Sequence, residues 1–315
     1  MNPAVFRRAA GQVMLGSAPM PGAPLDNQLR VRMLHAPINP ADLLAIDGRY
    51  AFDLESAVPI GAEGVGVVEA AGDAIDDLRV GDRVLPLSRG NWCRYRLLDR
   101  SDVVFLPPDI DAVQAAMLRI NPATAWLLLR SCGAEPGDVV VQNAATSAVA
   151  HWVRRLAPTF GITVIDVVRR PDPALPDALR DGDDLPDRVQ AAAQGGRIGA
   201  ALDCVAGAAT GRMAACLATG GRLMLFGHLS GEPLQVASQV MTAKGISITG
   251  FSLRPSEAAL GVEGRRAMFA ALAGIHAADP PDLPVRAVLP LSRAEEAIAQ
   301  ARSGEPGRVL FDLSC

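Results

Sequence analysis

The sequence is short of aromatic residues, of pairable cysteines and of surplus positive charge, and each shortage removes a class of function. Aromatics make up 4% of the 315 residues, so each tyrosine and tryptophan is read individually. The five cysteines (Cys93, Cys132, Cys204, Cys216, Cys315) are odd in number, widely spaced and without a Cys-x-x-Cys pair. That pattern gives neither a disulfide framework nor a structural zinc cluster, and the thiols read as small buried hydrophobes. Lys and Arg number 30 against 34 Asp and Glu, a formal net charge of −4. Nucleic acid and anionic membranes want a basic field, which this balance does not supply. No stretch reaches the ~18 uninterrupted apolar residues of a membrane span. The first eleven residues carry Arg7 and Arg8 but lack the apolar run of a secretory signal. The expectation is a soluble cytoplasmic protein with no nucleic-acid or membrane partner.

What remains is globular. Half of the residues are apolar and 20% are charged, and the length suits roughly two domains at ~150 residues each. The first third alternates short β-like runs with Gly and Pro. Leu29-Arg30-Val31-Arg32-Met33-Leu34 has the period of a half-buried strand, and 64–70 and 83–87 are similar. Pro107-Pro108 closes this part. From Ile110 the texture becomes helical over 111–118 and 122–131, with Pro122 suited to a first turn. Strands are expected at 138–142, 162–168, 199–205 and 222–226, and helices at 147–156 and 208–218. Strands alternating with helices spell an α/β unit with a doubly wound parallel sheet. The Pro- and Asp-rich stretch 171–186 reads as a surface excursion, its Asp181, Asp183, Asp184 and Asp187 as solvated acids. Beyond Gly250 one helix (293–302) and one strand (308–313) stand out. The expected division is 1–110, 111–250 and 251–315.

The turn after the strand at 138–142 reads Asn143-Ala144-Ala145-Thr146-Ser147-Ala148-Val149-Ala150. Small residues between a strand and a helix let backbone N–H groups face a pyrophosphate. The glycines of the dinucleotide fingerprint are missing, with alanine at 148 and 150, and such a turn also serves any βα junction. The ribose-reading position lies ~20 residues on, where the second strand ends in Arg169-Arg170. Asp166 comes too early to be the terminal acid. Guanidiniums there suit a 2′-phosphate, hence NADPH rather than NADH; the alternative is a solvated strand end. His35, His151, His228 and His276 form no metal spacing.

Gly61-Ala62-Glu63-Gly64-Val65-Gly66-Val67-Val68-Glu69-Ala70-Ala71-Gly72, then Val80-Gly81-Asp82-Arg83-Val84 and Glu135-Pro136-Gly137-Asp138, resemble the signatures of medium-chain dehydrogenases/reductases. That resemblance implies a GroES-like β-rich catalytic domain, an inserted Rossmann domain, a C-terminal return to the first domain and a cofactor in the cleft between them. Zinc members of the family carry histidine where this chain has Ala62, and cysteine within the segment that here reads Ile38-Asn39-Pro40-Ala41-Asp42. Without those ligands a catalytic zinc is not expected.

Ile38 to Asp42 with Ile46-Asp47-Gly48-Arg49-Tyr50, Gly90-Asn91-Trp92, Asn121-Pro122-Ala123-Thr124-Ala125-Trp126 and Gln142-Asn143-Ala144 are similar to 2-enoyl thioester reductases of the mitochondrial enoyl-CoA/acyl-carrier-protein type. Carried over, the resemblance makes Tyr50 the catalytic tyrosine and Asn121 the nicotinamide-side asparagine. Thr146, Ser147, Ala148 and Val149 match the pyrophosphate loop, with Arg169 and Arg170 at the 2′-phosphate. Phe226, Gly227, His228 and Leu229 match the loop after the fifth strand. Phe251, Ser252, Leu253 and Arg254 line the cleft, and Arg308 is the basic residue reaching the cofactor. Trp92, His228 and Ser252 are candidates for substrate contact. Ser252 stands where relatives more often carry Trp, which reshapes the acyl pocket.

The implied chemistry is hydride transfer from NADPH to the β-carbon of an α,β-unsaturated thioester carried on CoA or acyl carrier protein, as in fatty acid metabolism. Tyr50, protonated at neutral pH with an ordinary pKa of ~10, would donate to the enolate or the α-carbon. The alternatives are a quinone or small enone reductase, and a non-catalytic binding or scaffold member. The strand-like Gly245-Ile246-Ser247-Ile248-Thr249-Gly250 lies where relatives pair sheet edges, so a homodimer is expected.

Overall fold

The computed structural model describes residues 1–9, 11–49, 58–280 and 283–315. In chain order the elements are β1 (Asn2–Ala9), β2 (Gln12–Ala18), β3 (Gln28–Pro37), α1 (Pro40–Ile46), β4 (Val65–Ala71), β5 (Arg83–Pro86), β6 (Tyr95–Asp99), β7 (Val103–Phe105), α2 (Ala112–Ala115) and α3 (Ile120–Ser131). Then follow β8 (Val139–Gln142), α4 (Ala148–Leu156), β9 (Thr163–Val168), β10 (Leu179–Arg180), α5 (Leu185–Ala192), β11 (Ile198–Asp203), α6 (Ala208–Cys216), β12 (Arg222–Leu225), α7 (Ser238–Lys244), β13 (Ser247–Gly250) and α8 (Leu253–Ala258). The chain ends with α9 (Gly261–Ala278), β14 (Val285–Pro290), α10 (Ala294–Arg302) and β15 (Arg308–Asp312).

Two compact units result, Met1–Ile120 with Leu260–Cys315, and Asn121–Ala259. Both divisions fall later than the sequence boundaries after 110 and 250. Pro107-Pro108 ends the β texture but not the unit, because α2 packs on β3 and β4 and Gln114 Nε2 donates to Leu283 O at 3.0 Å. At the other end α8 stays with the sheet it follows.

In the first unit β3 behaves as its alternation demands, burying Leu29, Val31 and Met33 and leaving Arg30 and Arg32 half-exposed. It anchors a sheet of order β14-β15-β3-β4-β5-β7, with β6 also pairing β3, and all pairs are antiparallel except β14 with β15. Trp92, Phe311, Ile38, Ile46 and Ile60 fill its core. The 18-residue α9 and the strand β14 were not read from the sequence. Alanine and glycine dominate α9, which buries only Met268, Phe269, Leu272, Ala273 and His276, so no broad apolar stripe marks it.

The second unit is a six-stranded, wholly parallel sheet of order β10-β9-β8-β11-β12-β13. Strands buried on both faces read as apolar runs, which is why Val139-Val140-Val141 and Ile198 to Leu202 were legible. Their core is Val141, Ile165, Leu185, Ala201, Met213 and Leu223. The 171–186 stretch is an excursion that contributes the two-residue β10 and the start of α5, whose Leu185 is buried in the core, and two of its acids form ion pairs: Asp181 with Arg212 at 2.6 Å and Asp184 with Arg188 at 2.7 Å. No helix among the described residues is long and apolar enough to cross a membrane.

A close approach fixes the turn after β4. A Cβ on Gly72 would run into the carbonyl oxygens of Leu25 and Asp26, while Gly72 N donates to Gln28 O at 2.9 Å. Gly72→Ala is expected to cost about 2 kcal/mol through forced backbone displacement, read as a lower urea midpoint with unchanged m-value.

Candidate active site

The strand order of the second unit has its switch point between β8 and β11, the two central strands from which the chain winds in opposite directions. Ligands of open α/β sheets bind outside the carboxyl ends there. Because all strands are parallel, those ends lie on one edge. There the fold collects the 143–150 loop after β8, Arg169 and Arg170 after β9, the turn after β11, Phe226 to Leu229 after β12 and Phe251 to Arg254 after β13.

The loop after β8 is built without glycine. Ala144 takes a left-handed φ of 48°, and Ser147 caps α4 by accepting from Ala150 N at 3.2 Å. Thr146 is exposed, with Ser147, Ala148 and Val149 half-buried. Asn143 Nδ2 donates to the buried Asp203 at 2.6 Å, and its Oδ1 accepts from Cys204 N at 2.8 Å. The loop after β12 lies on the turn after β11. Leu229 N donates to Cys204 O at 3.1 Å, and a Cβ on Gly227 would sit 2.5 Å from the oxygen and Sγ of Cys204. His228 and Leu229 are exposed and Phe226 is half-buried. Phe251 N donates to Leu225 O at 2.7 Å, and Ser252, exposed, precedes α8.

Two features of this unit suit a phosphorylated dinucleotide. Arg169 and Arg170 are exposed and have no ion-pair partner among the described residues. Asn121, in the first turn of α3, is buried, and its Nδ2 has no hydrogen-bond partner among the described residues. A buried amide without a partner costs free energy until something accepts from it. Burial pushes the Cys204 thiol up to about 12 and so disfavours its thiolate.

The first unit departs from expectation. Tyr50 lies outside the described residues. Trp92 is a core residue and not a substrate contact: its ring is fully buried, packs edge-on against Phe311 at 5.0 Å, and its Nε1 donates to Pro37 O at 3.3 Å. Arg308 is half-buried, donates to Ile38 O at 3.1 Å, and faces the carboxylates of Glu63 and Asp42.

Those two acids were quoted in motifs but not read as a centre. Glu63, fully buried, accepts from Asn39 Nδ2 at 2.8 Å, from Arg119 N at 3.0 Å and from Ile120 N at 2.8 Å. Asp42, also fully buried, accepts from Asn39 N at 3.0 Å and Ala62 N at 2.9 Å, with Arg89 at 3.5 Å. Burial pushes both carboxyls up, opposed by Arg89 at Asp42 and by the Ile120 N–H at Glu63. Glu63 had a signal, an acid inside an otherwise apolar, Gly-rich run, whereas Asp42 sits at the third position of a Pro-started helix, where an acid is ordinary. No His, Cys, Asp and Glu cluster able to hold a metal occurs among the described residues.

The alcohol dehydrogenase GroES-like domain matches residues 25–115. The mitochondrial enoyl-[acyl-carrier-protein] reductase of Xenopus tropicalis is 36% identical over 243 residues, 72% of this chain and 69% of that protein. The chain belongs to the medium-chain dehydrogenase/reductase family. Among solved members, a putative NADPH:quinone reductase from Bacillus thuringiensis has a TM-score of 0.85 at 27% identity, covering 99% of this chain and 98% of that one. Etr1p of Candida tropicalis, solved with NADP and crotonyl-CoA, has a TM-score of 0.85 at 21% identity, covering 99% of both chains. The latter likeness is one of fold. As in the family, a β-rich GroES-like unit is interrupted by a parallel-sheet unit and completed by the C-terminus.

The Glu63 cluster generates a stability test. Glu63→Ala strands three donors and is expected to cost about 3 kcal/mol. Glu63→Gln keeps an acceptor for the two backbone N–H groups, and its amide can serve Asn39 Oδ1, which has no partner among the described residues. Its cost in urea unfolding should be less than half as large.

Proposed function

We propose that the chain is an NADPH-dependent reductase of an activated carbon–carbon double bond, and that its substrate is a 2-enoyl thioester on CoA or acyl carrier protein. The observation that carries this reading is the pair of exposed guanidiniums at the end of β9, without an ion-pair partner among the described residues, beside a strand-to-helix loop of small residues. An acid at that edge would read a ribose hydroxyl, whereas two arginines suit a 2′-phosphate. The similarity to enoyl-[acyl-carrier-protein] reductases supports the substrate class.

Bound NADPH would supply the hydride. The amides of Thr146, Ala148 and Val149 at the start of α4 would hold the pyrophosphate, with Ser147, whose N–H donates to Ala144 O at 2.8 Å, closing the turn between them, and Asn121 Nδ2 would donate to the nicotinamide amide. Tyr50 would keep its proton at neutral pH and give it to the enolate oxygen or the α-carbon as negative charge develops on the thioester. Phe226, Gly227, Leu229, Phe251, Leu253 and Arg254 would border the cofactor, with His228 and Ser252 towards the substrate. Arg308, tied to Ile38 in the first unit, would set charge near the cofactor.

A second reading, quinone or small enone reduction, is favoured by one observation. Ser252 is small and exposed where relatives more often carry Trp, so the acceptor site is less committed to an acyl chain. Steady-state rates with crotonyl thioesters, quinones and enones, each with NADPH and NADH, separate the readings. A preference for the thioester with NADPH is expected, and turnover of quinones alone would overturn the substrate assignment.

Two sets of variants follow. Arg169→Ala and Arg170→Ala should each raise KM for NADPH about tenfold or more, as loss of a charge-assisted hydrogen bond does, with KM for NADH unchanged. Tyr50→Phe should lower kcat about 100-fold, the scale of general acid catalysis, while fluorescence titration shows NADPH binding intact. Full activity in this variant would remove Tyr50 from the reaction.

A further inference from the structure

Asp166 and Arg154 have no part in the assignment so far, yet they meet at the phosphate loop. Arg154, in the last turn of α4, places one nitrogen, Nη1, 2.8 Å from Ala145 O in the loop and 3.1 Å from Asp166 Oδ1 on β9. The same carboxylate oxygen accepts from Gln142 Nε2 at 2.7 Å, and Gln142 Nε2 also reaches Ala150 O at 3.1 Å in the first turn of α4. Asp166 thus joins the last residue of β8, the loop and the helix after it. Both ionic groups are mostly shielded, with side-chain exposures of 27% for Arg154 and 13% for Asp166. Apart from this network, the middle of the loop is held, among the described residues, by the turn bond from Ser147 N to Ala144 O at 2.8 Å and by a long bond to the neighbouring strand, Ala145 N to Val167 O at 3.3 Å.

This loop needs an external tether. A glycine fingerprint lets the backbone turn tightly and approach phosphate without steric cost. Here alanines occupy the turn, and Ala144 is held at a φ of 48°, a conformation costing an alanine ~1–2 kcal/mol. The carbonyl of Ala145 must point towards α4 if the Thr146 N–H of the same trans peptide is to face outward. A guanidinium anchored by a carboxylate on the neighbouring strand holds such a carbonyl in place.

We propose that Arg154 is a positioning residue: through Asp166 it holds the glycine-poor phosphate loop in the form that binds dinucleotide pyrophosphate. The inference rests on the reading of this loop as the dinucleotide site. It differs in signature from the role of Arg169 and Arg170. The pyrophosphate is common to NADPH and NADH, so loosening the loop weakens both by one factor, whereas loss of a 2′-phosphate contact weakens NADPH alone.

The test is fluorescence titration of wild type, Arg154→Met, Arg154→Lys, Asp166→Asn and the Arg154→Met/Asp166→Asn double variant with NADPH and with NADH, alongside steady-state kinetics. In Arg154→Met both Kd values should rise about tenfold by the same factor, with kcat within twofold of wild type. Arg154→Lys, keeping the charge but one centre of donation, should fall between. The double variant should bind as Arg154→Met does, because the two residues act as one unit. Unchanged Kd values, a change confined to NADPH, or additive effects in the double variant would each overturn the inference while leaving the functional reading intact. Wild-type protein binding neither dinucleotide would overturn both. Should Arg154→Met fail to fold, Asp166→Asn, which leaves α4 untouched, decides by the same criterion: equal weakening of both cofactors supports the tether and wild-type affinities reject it.

Discussion

Asp203 is a fully buried carboxylate at the carboxyl end of β11, and the geometry of the sheet's switch point follows from keeping it satisfied. It accepts from Asn143 Nδ2, Val205 N, Ala206 N and Thr210 Oγ1, at 2.6 to 3.0 Å. A buried carboxylate with free lone pairs would cost several kcal/mol. The backbone bends to meet it, with Ala206 and Gly207 at φ of 66° and 63°. The left-handed cost at Ala206, ~1–2 kcal/mol, is smaller than the penalty avoided. Through Asn143 the same acid fixes the exit of β8, so the loops on either side of the switch point are set by one group.

The first unit uses the same device. Asp42 holds the start of α1 to Ala62, and Glu63 holds Arg119 and Ile120, where the chain leaves for the second unit. Ala62, beside Glu63 in the chain, has no polar side chain and is held through its backbone. Its N–H instead satisfies Asp42, while Arg119 Nη1 donates to its carbonyl at 2.6 Å.

Much of this architecture was legible because it rests on burial. The central parallel strands betray themselves as short apolar runs, β-branched in β8 and β9, and Ser147 announces the start of α4 through cap chemistry. The 18-residue α9 escaped because alanine and glycine give it little amphipathic contrast. Trp92 was misread for a different reason: its Gly-Asn-Trp motif marks a close approach, with Gly61 at a φ of 114° beneath the indole, and so reports packing, not contact with a substrate. Asp42, Glu63 and Asp203 were invisible as structural centres because acids are assigned to surfaces by default. Only the partners, far away in sequence, reveal that they are buried. The loop residues after β8, β9, β12 and β13 were placed on one edge by the sheet order, a long-range property that local patterns carry only in aggregate.

The position of Asp166 bears on cofactor choice at this edge. Its carboxylate lies three residues before Arg169, or ~10 Å at the rise of a strand. Across that distance in water a unit charge contributes ~0.4 kcal/mol, and physiological salt, with a Debye length of ~8 Å, screens even that. Arg154 and Gln142 already compensate the charge. Each arginine at the strand end, by contrast, offers a charge-assisted hydrogen bond of ~1.5–3 kcal/mol to a phosphate. For a dinucleotide on this loop the guanidiniums therefore decide the outcome, while Asp166, inside the strand and bonded to Arg154 and Gln142, faces the loop instead of the ribose position.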